Sequence, residues 1–311
     1  MIEITKYSPE NKHVWNGFVK ESKNGTFLFN RGYMEYHSDR FIDHSLLIYE
    51  DGKLMALLPA NLKDSVLYSH GGLTYGGIIS SMKMKTPRML EVFAALIAYL
   101  KREKIKKMVY KSIPYIFHKY YADEDLYALF INEAKLVRRD VSSAIMQNNK
   151  PSFERGRKRQ IKKAKEMGLA IKESQDYEVF FSIVKSLLNE KYKVNPVHDS
   201  EEMQMLASKF PDNIKLFGCF KGDEMISGSV MYVTDRVAHA QYIFSTKEGK
   251  EIGANDLMDD FLINQEYSNK YCFNFGISTT DSGRNLNQDL ISQKEMFGSR
   301  AVCFDWYELD I

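Results

Sequence analysis

The chain has 311 residues, of which 44% are hydrophobic and 27% charged, a composition typical of soluble globular proteins and not of disordered ones. A single hydrophobic core rarely grows this large, so we expect two domains. With 43 Lys and Arg against 41 Asp and Glu, the net charge is +2, which excludes a strong field over the whole molecule. Any contact with nucleic acid or a membrane must therefore be local.

Neither the N-terminus nor the cysteines indicate an exported or metal-binding protein. Residues 1–7 begin as an alternating strand without the basic and apolar regions of a signal peptide, and no apolar run reaches membrane-spanning length. Cys219, Cys272 and Cys303 lie in apolar runs without the paired spacing of a metal site. We therefore expect a cytoplasmic protein with reduced core cysteines and no metal.

Hydrophobic periodicity predicts the same order of elements in both halves of the chain: strand, helix, hairpin, strand, helix, strand, helix, strand. In the first half these elements cover 1–7, 11–21, 44–61, 66–80, 87–103, 107–112, 123–133 and 134–147. In the second half they cover 168–174, 177–190, 214–233, 239–245, a helix from 253, 271–275, 286–297 and 301–309.

The nearly constant offset of about 166 residues between the halves is too long for a solenoid repeat and indicates a duplicated domain. We predict an α/β (α+β) protein with two tandem domains, each a mixed, largely antiparallel sheet flanked by helices. The predicted domains are 1–148, on the acceptor side, and 149–311.

One strand and the helix after it form the most informative local pattern. The run 239–245 predicts a buried strand, and the next helix should begin near Gly253, with Asn255 as N-cap. Asp256, Asp259 and Asp260 should add negative charge to its first turns. Free N–H groups at such a helix start bind anions, often the pyrophosphate of a nucleotide cofactor. An ordinary strand-loop-helix connection would have the same pattern.

Polar side chains on this strand are further candidates. Alternation places His239 and Gln241 on one face and Tyr242 on the other. Buried polar groups need partners, which a ligand, neighbouring side chains or water would supply. His198 lies in a loop before a helix that Asp199 or Ser200 could cap, where it acts either as a base near neutral pH or only as a turn residue.

A basic segment, 150–165, lies between the two halves. As a helix it would present a positive face to a phosphate-bearing ligand or to RNA, and the alternative is a solvated linker helix. Its cations are Lys150, Arg155, Arg157, Lys158, Arg159, Lys162, Lys163 and Lys165.

Three segments carry a resemblance to a known family: 157–168, 274–278 and 293–298. A hairpin, a further strand and a helix that offers its N-terminus to a pyrophosphate make the chain similar to the GNAT acyl-CoA transferases. The duplicated form, with a basic helix opening the second half, resembles the FemAB-like branch. The resemblance covers nearly the whole chain, although each motif alone is only moderately specific.

Members of this branch transfer an acyl or aminoacyl group to an amine, from acyl-CoA in some and from aminoacyl-tRNA in others. The resemblance places Lys294 near the acyl carbonyl, where its charge would stabilise an oxyanion, with Gln293 replacing the aromatic residue of the motif. It also aligns 250–255 with the family's pyrophosphate loop. The implied coenzyme A-binding residues are Lys250, Gly253, Ala254 and Asn255.

The polar loop 281–287 either contacts the acceptor or caps the following helix. The candidates for catalysis are Lys294, His198 and Gln241, and those for substrate binding are His239, Tyr242, Ser278, Asn285 and Asn287.

Three functions fit this sequence. The first is an N-acyltransferase that uses acetyl-CoA or another acyl-CoA on a small-molecule or cell-envelope amine. The second is an aminoacyltransferase that binds tRNA through Arg155–Lys165 and acts on a cell-envelope precursor. The third is a non-catalytic module that binds a small molecule on the same fold.

Overall fold

A computed structural model describes residues 1–311, apart from the side chains of residues 191 and 192. The strands are β1 (Ile2–Lys6), β2 (Ile42–Asp43), β3 (Leu46–Glu50), β4 (Lys53–Leu58), β5 (Asn61–Lys63), β6 (Val66–Tyr68), β7 (Ile79–Ser80), β8 (Lys107–Lys111), β9 (Lys135–Met146), β10 (Ala170–Ser174), β11 (Ile214–Lys221), β12 (Glu224–Val233), β13 (Val237–Ser245), β14 (Cys272–Ile277), β15 (Thr279–Thr280), β16 (Asn285–Leu286) and β17 (Arg300–Asp310).

The α-helices follow the predicted order with two additions, α2 and α8. They are α1 (Lys12–Glu21), α2 (Arg31–Met34), α3 (Thr86–Arg102), α4 (Glu124–Ile131), α5 (Arg155–Glu166), α6 (Tyr177–Tyr192), α7 (Ser200–Lys209), α8 (Lys247–Ile252), α9 (Ala254–Phe261) and α10 (Gln288–Glu295).

The chain divides into two compact units. Unit 1 comprises residues 1–141, 279–285 and 302–311, and unit 2 comprises residues 142–278 and 286–301. This division differs from the predicted boundary after residue 148. The difference at the C-terminus has a clear cause, because β17 pairs antiparallel with β8, with Trp306 opposite Lys111, so the end of the chain joins unit 1.

In unit 1, β1, β3, β4 and β7 form one sheet, and β17, β8, β6, β5 and β2 follow one another in a second run of strands. The long helix α3 buries Met89, Val92, Phe93 and Leu96, which recur every three or four residues on one face. These side chains share a hydrophobic core with strand residues such as Ile48. Burial of this face stabilises α3 on the sheet.

In unit 2, the strands run β10, β11, β12, β13 and β14, and β14 then pairs antiparallel with residues 142–146 of β9. The pairing of β13 with β14 is parallel. Helices α5 and α9 bury Ile161, Ala164, Leu257 and Met258 in the core below these strands. The core therefore anchors both the basic helix and the helix that follows β13.

The segment 66–80 does not form the single strand that we predicted. It forms the short strands β6 and β7, which belong to different sheets, with a loop between them. This loop requires glycine at two positions. A Cβ on Gly76 would lie 1.6 Å from the carbonyl oxygen of Ser69, and Gly77 has a φ of +88°.

The helix predicted to begin near Gly253 is α9, which starts at Ala254, and an additional short helix, α8, precedes it. Helix α8 starts at Lys247, with the hydroxyl of Thr246 accepting a hydrogen bond from the N–H of Gly249 as N-cap. Gly253, with a φ of +81°, then ends α8 and starts α9. The predicted N-cap, Asn255, instead lies in the first turn of α9.

The cysteine prediction holds for two positions and fails for one. Cys219 and Cys272 are buried, whereas Cys303 is exposed. Its neighbours Val302 and Phe304 are buried, so strand alternation turns Cys303 outward.

Candidate active site in unit 2

The site begins where β13 and β14 separate. The two strands pair at Val237–Cys272, Ala238–Phe273 and His239–Asn274, and β13 then continues alone on this side to Ser245. Such an edge leaves backbone N–H and C=O groups available for another extended chain.

A β-bulge lies on β13 at the point of separation. Val230 of β12 is opposite Tyr242 and Met231 is opposite Ala240, so Gln241 is the extra residue. The Oε1 atom of Gln241 is buried, and within the described part of the chain it meets no hydrogen-bond donor at bonding geometry. A buried amide oxygen of this kind indicates a place for a ligand donor or a water molecule.

His239 and Asn274 meet at the last strand pair, with 2.7 Å between Nδ1 and Oδ1. The orientation of the Asn274 amide is fixed, because Oδ1 accepts from the N–H of Gly276 and Nδ2 donates to the carbonyl oxygen of Ser143. His239 must therefore carry its proton on Nδ1, which leaves Nε2 as an acceptor.

The buried ring of His239 is uncharged at neutral pH. Burial lowers the pKa of His239 to about 4; contacts with Asn274 and Gln241 oppose this shift, and the charge of Lys294 adds to it. An imidazole in this state can accept a hydrogen bond or a proton through Nε2.

Lys294 lies on α10 and its ammonium group is held by the last two residues of β14 and by Ser278, which follows them. Its Nζ donates to the carbonyl oxygens of Gly276 and Ile277 and to Oγ of Ser278, each at 2.9 Å. Asn287 caps α10 by accepting from the N–H of Leu290. Lys294 follows Asn287 by two helical turns and so lies on the same face of α10.

The environment of Lys294 lowers the pKa of its ammonium group towards physiological pH. Burial lowers the pKa of Lys294 to about 8, and the nearby charge of Asp259 opposes this shift. His239, Asn274, Ser278 and Lys294 thus lie together, and we refer to these four residues as the polar centre.

The acidic side of this arrangement was not predicted from the sequence. Asp256 and Asp259, which we expected to be first-turn charges on a helix, are buried. Arg157 donates to Asp256 at 2.9 Å, and Asn255 donates to Asp259 at 2.8 Å. Burial, reinforced by the charge of Asp256, raises the pKa of Asp259 well above its usual range. Two acids three residues apart, amid apolar residues, were the available signal.

Comparisons with known proteins identify the fold. No family profile and no curated protein sequence matches the chain. Among solved structures, FemX is similar with a TM-score of 0.70 at 11% identity, over 99% of this chain and 97% of FemX. The chain has a FemAB-like tandem GNAT fold.

Two further structures agree with this assignment. L-PGS from Bacillus licheniformis has a TM-score of 0.61 at 11% identity, over 96% of this chain and 91% of that one. A tandem GNAT protein from the clavulanic acid biosynthesis pathway has a TM-score of 0.55 at 8% identity, over 100% of this chain and 98% of that one. The predicted fold class is thereby confirmed, and the reaction has to be argued from the site.

On this GNAT fold, the predicted coenzyme A-binding residues begin a packed helix. A Cβ on Gly253 would lie 2.7 Å from the carbonyl oxygen of Gln160 in α5. Ala254 is fully buried, and Asn255 hydrogen-bonds to Asp259. Of the predicted residues, Lys250 alone has an exposed side chain. Their role in binding pyrophosphate stays a prediction.

The side chains of His198, Tyr242 and Asn287 bond to partners outside the polar centre, although the backbone N–H of Asn287 donates to Ser278. His198 Nδ1 contacts the hydroxyl of Tyr242 at 2.7 Å, and Tyr242 packs edge-on against Phe181. Asn287 is used as the cap of α10, and Asn285 is exposed in unit 1. The structure therefore joins Lys294, Ser278, His239 and Gln241, and leaves His198 and Tyr242 as a separate pair.

The structure shows no site for a metal ion within its described side chains, judged by groups of three or more His, Cys, Asp or Glu. No described helix combines the length and apolar character needed to cross a bilayer.

Proposed function

We propose that this protein is an N-acyltransferase that transfers an acyl group from acyl-CoA to an amine in unit 2. The observation that carries the proposal is the separation of β13 from β14 directly beside the polar centre. The pantetheine arm of acyl-CoA is an extended chain with amide groups, and it can pair with the open edge of β13 as an added strand would. This pairing would bring the thioester towards the polar centre.

The reaction requires one proton to leave the amine and negative charge to be stabilised on the carbonyl oxygen. The amine nitrogen bonds to the carbonyl carbon, the carbon–sulfur bond breaks, and the thiolate of coenzyme A gains a proton. In this proposal His239 Nε2 accepts the proton of the amine, since Asn274 holds the other ring nitrogen in its protonated form. The positive charge of Lys294 favours the oxyanion.

Acetyl-CoA binding by calorimetry and thiol release with a panel of primary amines test this proposal. Ile243 lies on the open stretch of β13 and is 37% exposed, and Val179 on α6 is a matched control at 39%. We expect Ile243→Asp to weaken acetyl-CoA binding at least tenfold and Val179→Asp to leave it unchanged. Binding without turnover of any amine would favour the non-catalytic module, and equal binding by both variants would count against the β13 edge.

A second candidate donor, aminoacyl-tRNA, is favoured by the solvent face of α5. The exposed cations on this face are Arg155, Lys158, Arg159, Lys162, Lys163 and Lys165. Arg155, Lys158 and Arg159 form no ion pair with any described residue. Clustered cations of this kind bind a phosphate backbone despite a small net charge.

Charge reversal distinguishes the two donors. If tRNA is the donor, Lys158→Glu with Arg159→Glu should weaken tRNA binding. The slope of log K for tRNA against the logarithm of the salt concentration should become shallower by about two. The control is Lys101→Glu with Lys106→Glu, which reverses two exposed cations in unit 1. Protein that is stabilised by acetyl-CoA and not by tRNA in a thermal-shift assay would exclude this second candidate.

A further inference from the structure

Ser278 has a hydrogen-bond donor that no described residue accepts. Its side chain is buried, at 2% exposure, and its Oγ accepts a hydrogen bond from Lys294. A hydroxyl can donate as well as accept. The Ser278 hydroxyl donates no hydrogen bond to any described residue. A buried polar proton without a protein acceptor indicates that a ligand or a water molecule accepts it.

Lys294, in contrast, has no N–H group available for a ligand. An ammonium has three N–H groups, and the three of Lys294 are donated to Gly276, Ile277 and Ser278. Direct donation to a carbonyl oxygen would require one of these bonds to break. Lys294 can stabilise a ligand without breaking a bond if it acts through the Ser278 hydroxyl. A hydroxyl that accepts a hydrogen bond from a cation becomes a stronger donor to its own acceptor.

The position of Ser278 is well defined within unit 2. Its carbonyl oxygen accepts from the N–H of Asn287 at 2.9 Å, which ties it to the start of α10. The end of β14, just before Ser278, runs beside His239, because a Cβ on Gly276 would lie 3.5 Å from Cε1 of that ring. The segment that carries the Ser278 hydroxyl therefore passes next to the candidate base.

We infer that the Ser278 hydroxyl donates a hydrogen bond to the carbonyl oxygen of the acyl donor and that Lys294 is a positioning residue acting through it. The inference rests on the proposed function, since it requires an acyl donor in unit 2. No bond to Ser278 is formed. As the amine adds to the carbonyl carbon, negative charge collects on the oxygen and strengthens this hydrogen bond, and the carbonyl re-forms when the bond to the leaving group breaks.

Kinetics of four variants test the assignment: Ser278→Ala, Lys294→Met, the two combined, and Ser227→Ala as control. Ser227 is also a fully buried serine of unit 2, and its hydroxyl donates to the carbonyl oxygen of Phe244 at 2.8 Å. We expect Ser278→Ala to lower kcat by about 10²-fold with little change in KM, on the scale of losing one oxyanion donor. Ser227→Ala should keep the wild-type kcat.

The double variant tests whether the two residues act as one unit. Ser278→Ala combined with Lys294→Met should be no slower than the slower single variant, because the second change removes nothing further. Multiplied effects in the double variant would overturn the claim that Lys294 acts through Ser278.

Infrared difference spectroscopy gives a readout that does not depend on turnover. With acetyl-CoA labelled with ¹³C at the carbonyl, the wild type should lower the carbonyl stretching frequency of the bound donor. Ser278→Ala should restore the solution value while Ser227→Ala stays like the wild type. If tRNA proves to be the donor, the same variants are measured with the labelled aminoacyl ester.

The outcomes separate the two proposals. A Ser278→Ala variant with wild-type kcat and wild-type carbonyl frequency would overturn the assignment of Ser278 and leave the proposed transfer intact. A wild-type protein that neither binds nor uses acetyl-CoA or aminoacyl-tRNA would overturn both.

Discussion

His239 and Asn274 face each other on neighbouring strands at the last pair before β13 and β14 separate, with 2.7 Å between Nδ1 and Oδ1. The same Asn274 oxygen accepts from the N–H of Gly276, which begins the turn that carries Ser278. One buried amide therefore orients both the imidazole ring and the turn. This arrangement links the protonation state of His239 to the stability of unit 2.

His239→Gln should make the protein less sensitive to acid. Burial lowers the folded-state pKa of His239 to about 4 from an ordinary value of 6.5, so the unfolded chain gains the proton first as pH falls. The stabilisation from the neutral ring is present above pH 6.5 and is lost towards pH 4. Between pH 7 and about pH 4.5, the wild type should lose about 2–3 kcal/mol more than the variant.

Urea unfolding of both proteins at the two pH values measures this difference. The other buried histidines contribute equally to both proteins, so the comparison isolates His239. An identical loss of stability on acidification would show that His239 is not the group responsible.

Lys294→Met should reduce turnover by about 10²-fold or more, because the proposed mechanism requires the positive charge of Lys294 to strengthen the hydrogen bond from Ser278 to the oxyanion. It also leaves the carbonyl oxygens of Gly276 and Ile277 without the donor that they share. We therefore expect a lower free energy of unfolding as well, by roughly 1–3 kcal/mol. Steady-state kinetics and urea unfolding measure the two effects, and full turnover in a folded Lys294→Met protein would remove the residue from the mechanism.

Gly253→Ala should destabilise the protein more than Gly168→Ala. Both glycines have positive φ, +81° and +68°, so each alanine costs about 1 kcal/mol in backbone strain. At Gly253 the new Cβ would also lie 2.7 Å from the carbonyl oxygen of Gln160, whereas at Gly168 nothing lies within 4 Å. The clash should add roughly 1–3 kcal/mol.

Chemical denaturation of the two glycine variants compares these costs. A similar loss for both would mean that α5 moves aside without penalty, and the close packing of α5 on the start of α9 would then not matter for stability.

Asp125→Asn should become more stable than the wild type as pH rises. Burial raises the pKa of Asp125 to about 7, and its carboxyl group hydrogen-bonds to the hydroxyl of Tyr110. The folded state therefore holds a proton that the unfolded chain releases near pH 3.8, and the stabilisation is lost as pH rises towards 7. The advantage of the uncharged variant should grow by about 2–3 kcal/mol between pH 5 and pH 8.

Thermal or urea unfolding across this pH range tests the prediction, with the exposed Asp123→Asn as control. A constant difference between Asp125→Asn and the wild type would mean that the Asp125 carboxyl is already ionised at pH 5.

Much of the fold could be predicted because periodicity reports which face of an element is buried, whatever it packs against. The helix predicted at 87–103 is α3, Thr86–Arg102, and the hairpin predicted at 214–233 is β11 and β12. The prediction of a single strand at 66–80 was wrong. The composition of this segment is typical of a strand, and the loop within it is explained by the close approach of Gly76 to Ser69, which depends on the tertiary structure.

The site divides in the same way between local and long-range information. A motif resemblance made Lys294 a candidate, and strand alternation predicted that His239 and Gln241 share a face, with no sign of the β-bulge at Gln241. Pattern alone could not separate a buried acid from a solvated one, so Asp256 and Asp259 were predicted only as charges in the first turns of a helix. The environment of Asp256 depends on distant residues, among them Arg157, which lies 99 positions before it in the chain.

The hydrogen bonds of Lys294 show the same limit at the level of a single side chain. A sequence can place a lysine on a helix near a strand end, but the number of its protons that are already used depends on distances between residues 16 to 18 positions apart. Those distances arise only when α10 packs beside the turn after β14. In the folded chain, the group with an N–H or O–H still available for a ligand is therefore the hydroxyl of Ser278 and not the ammonium of Lys294.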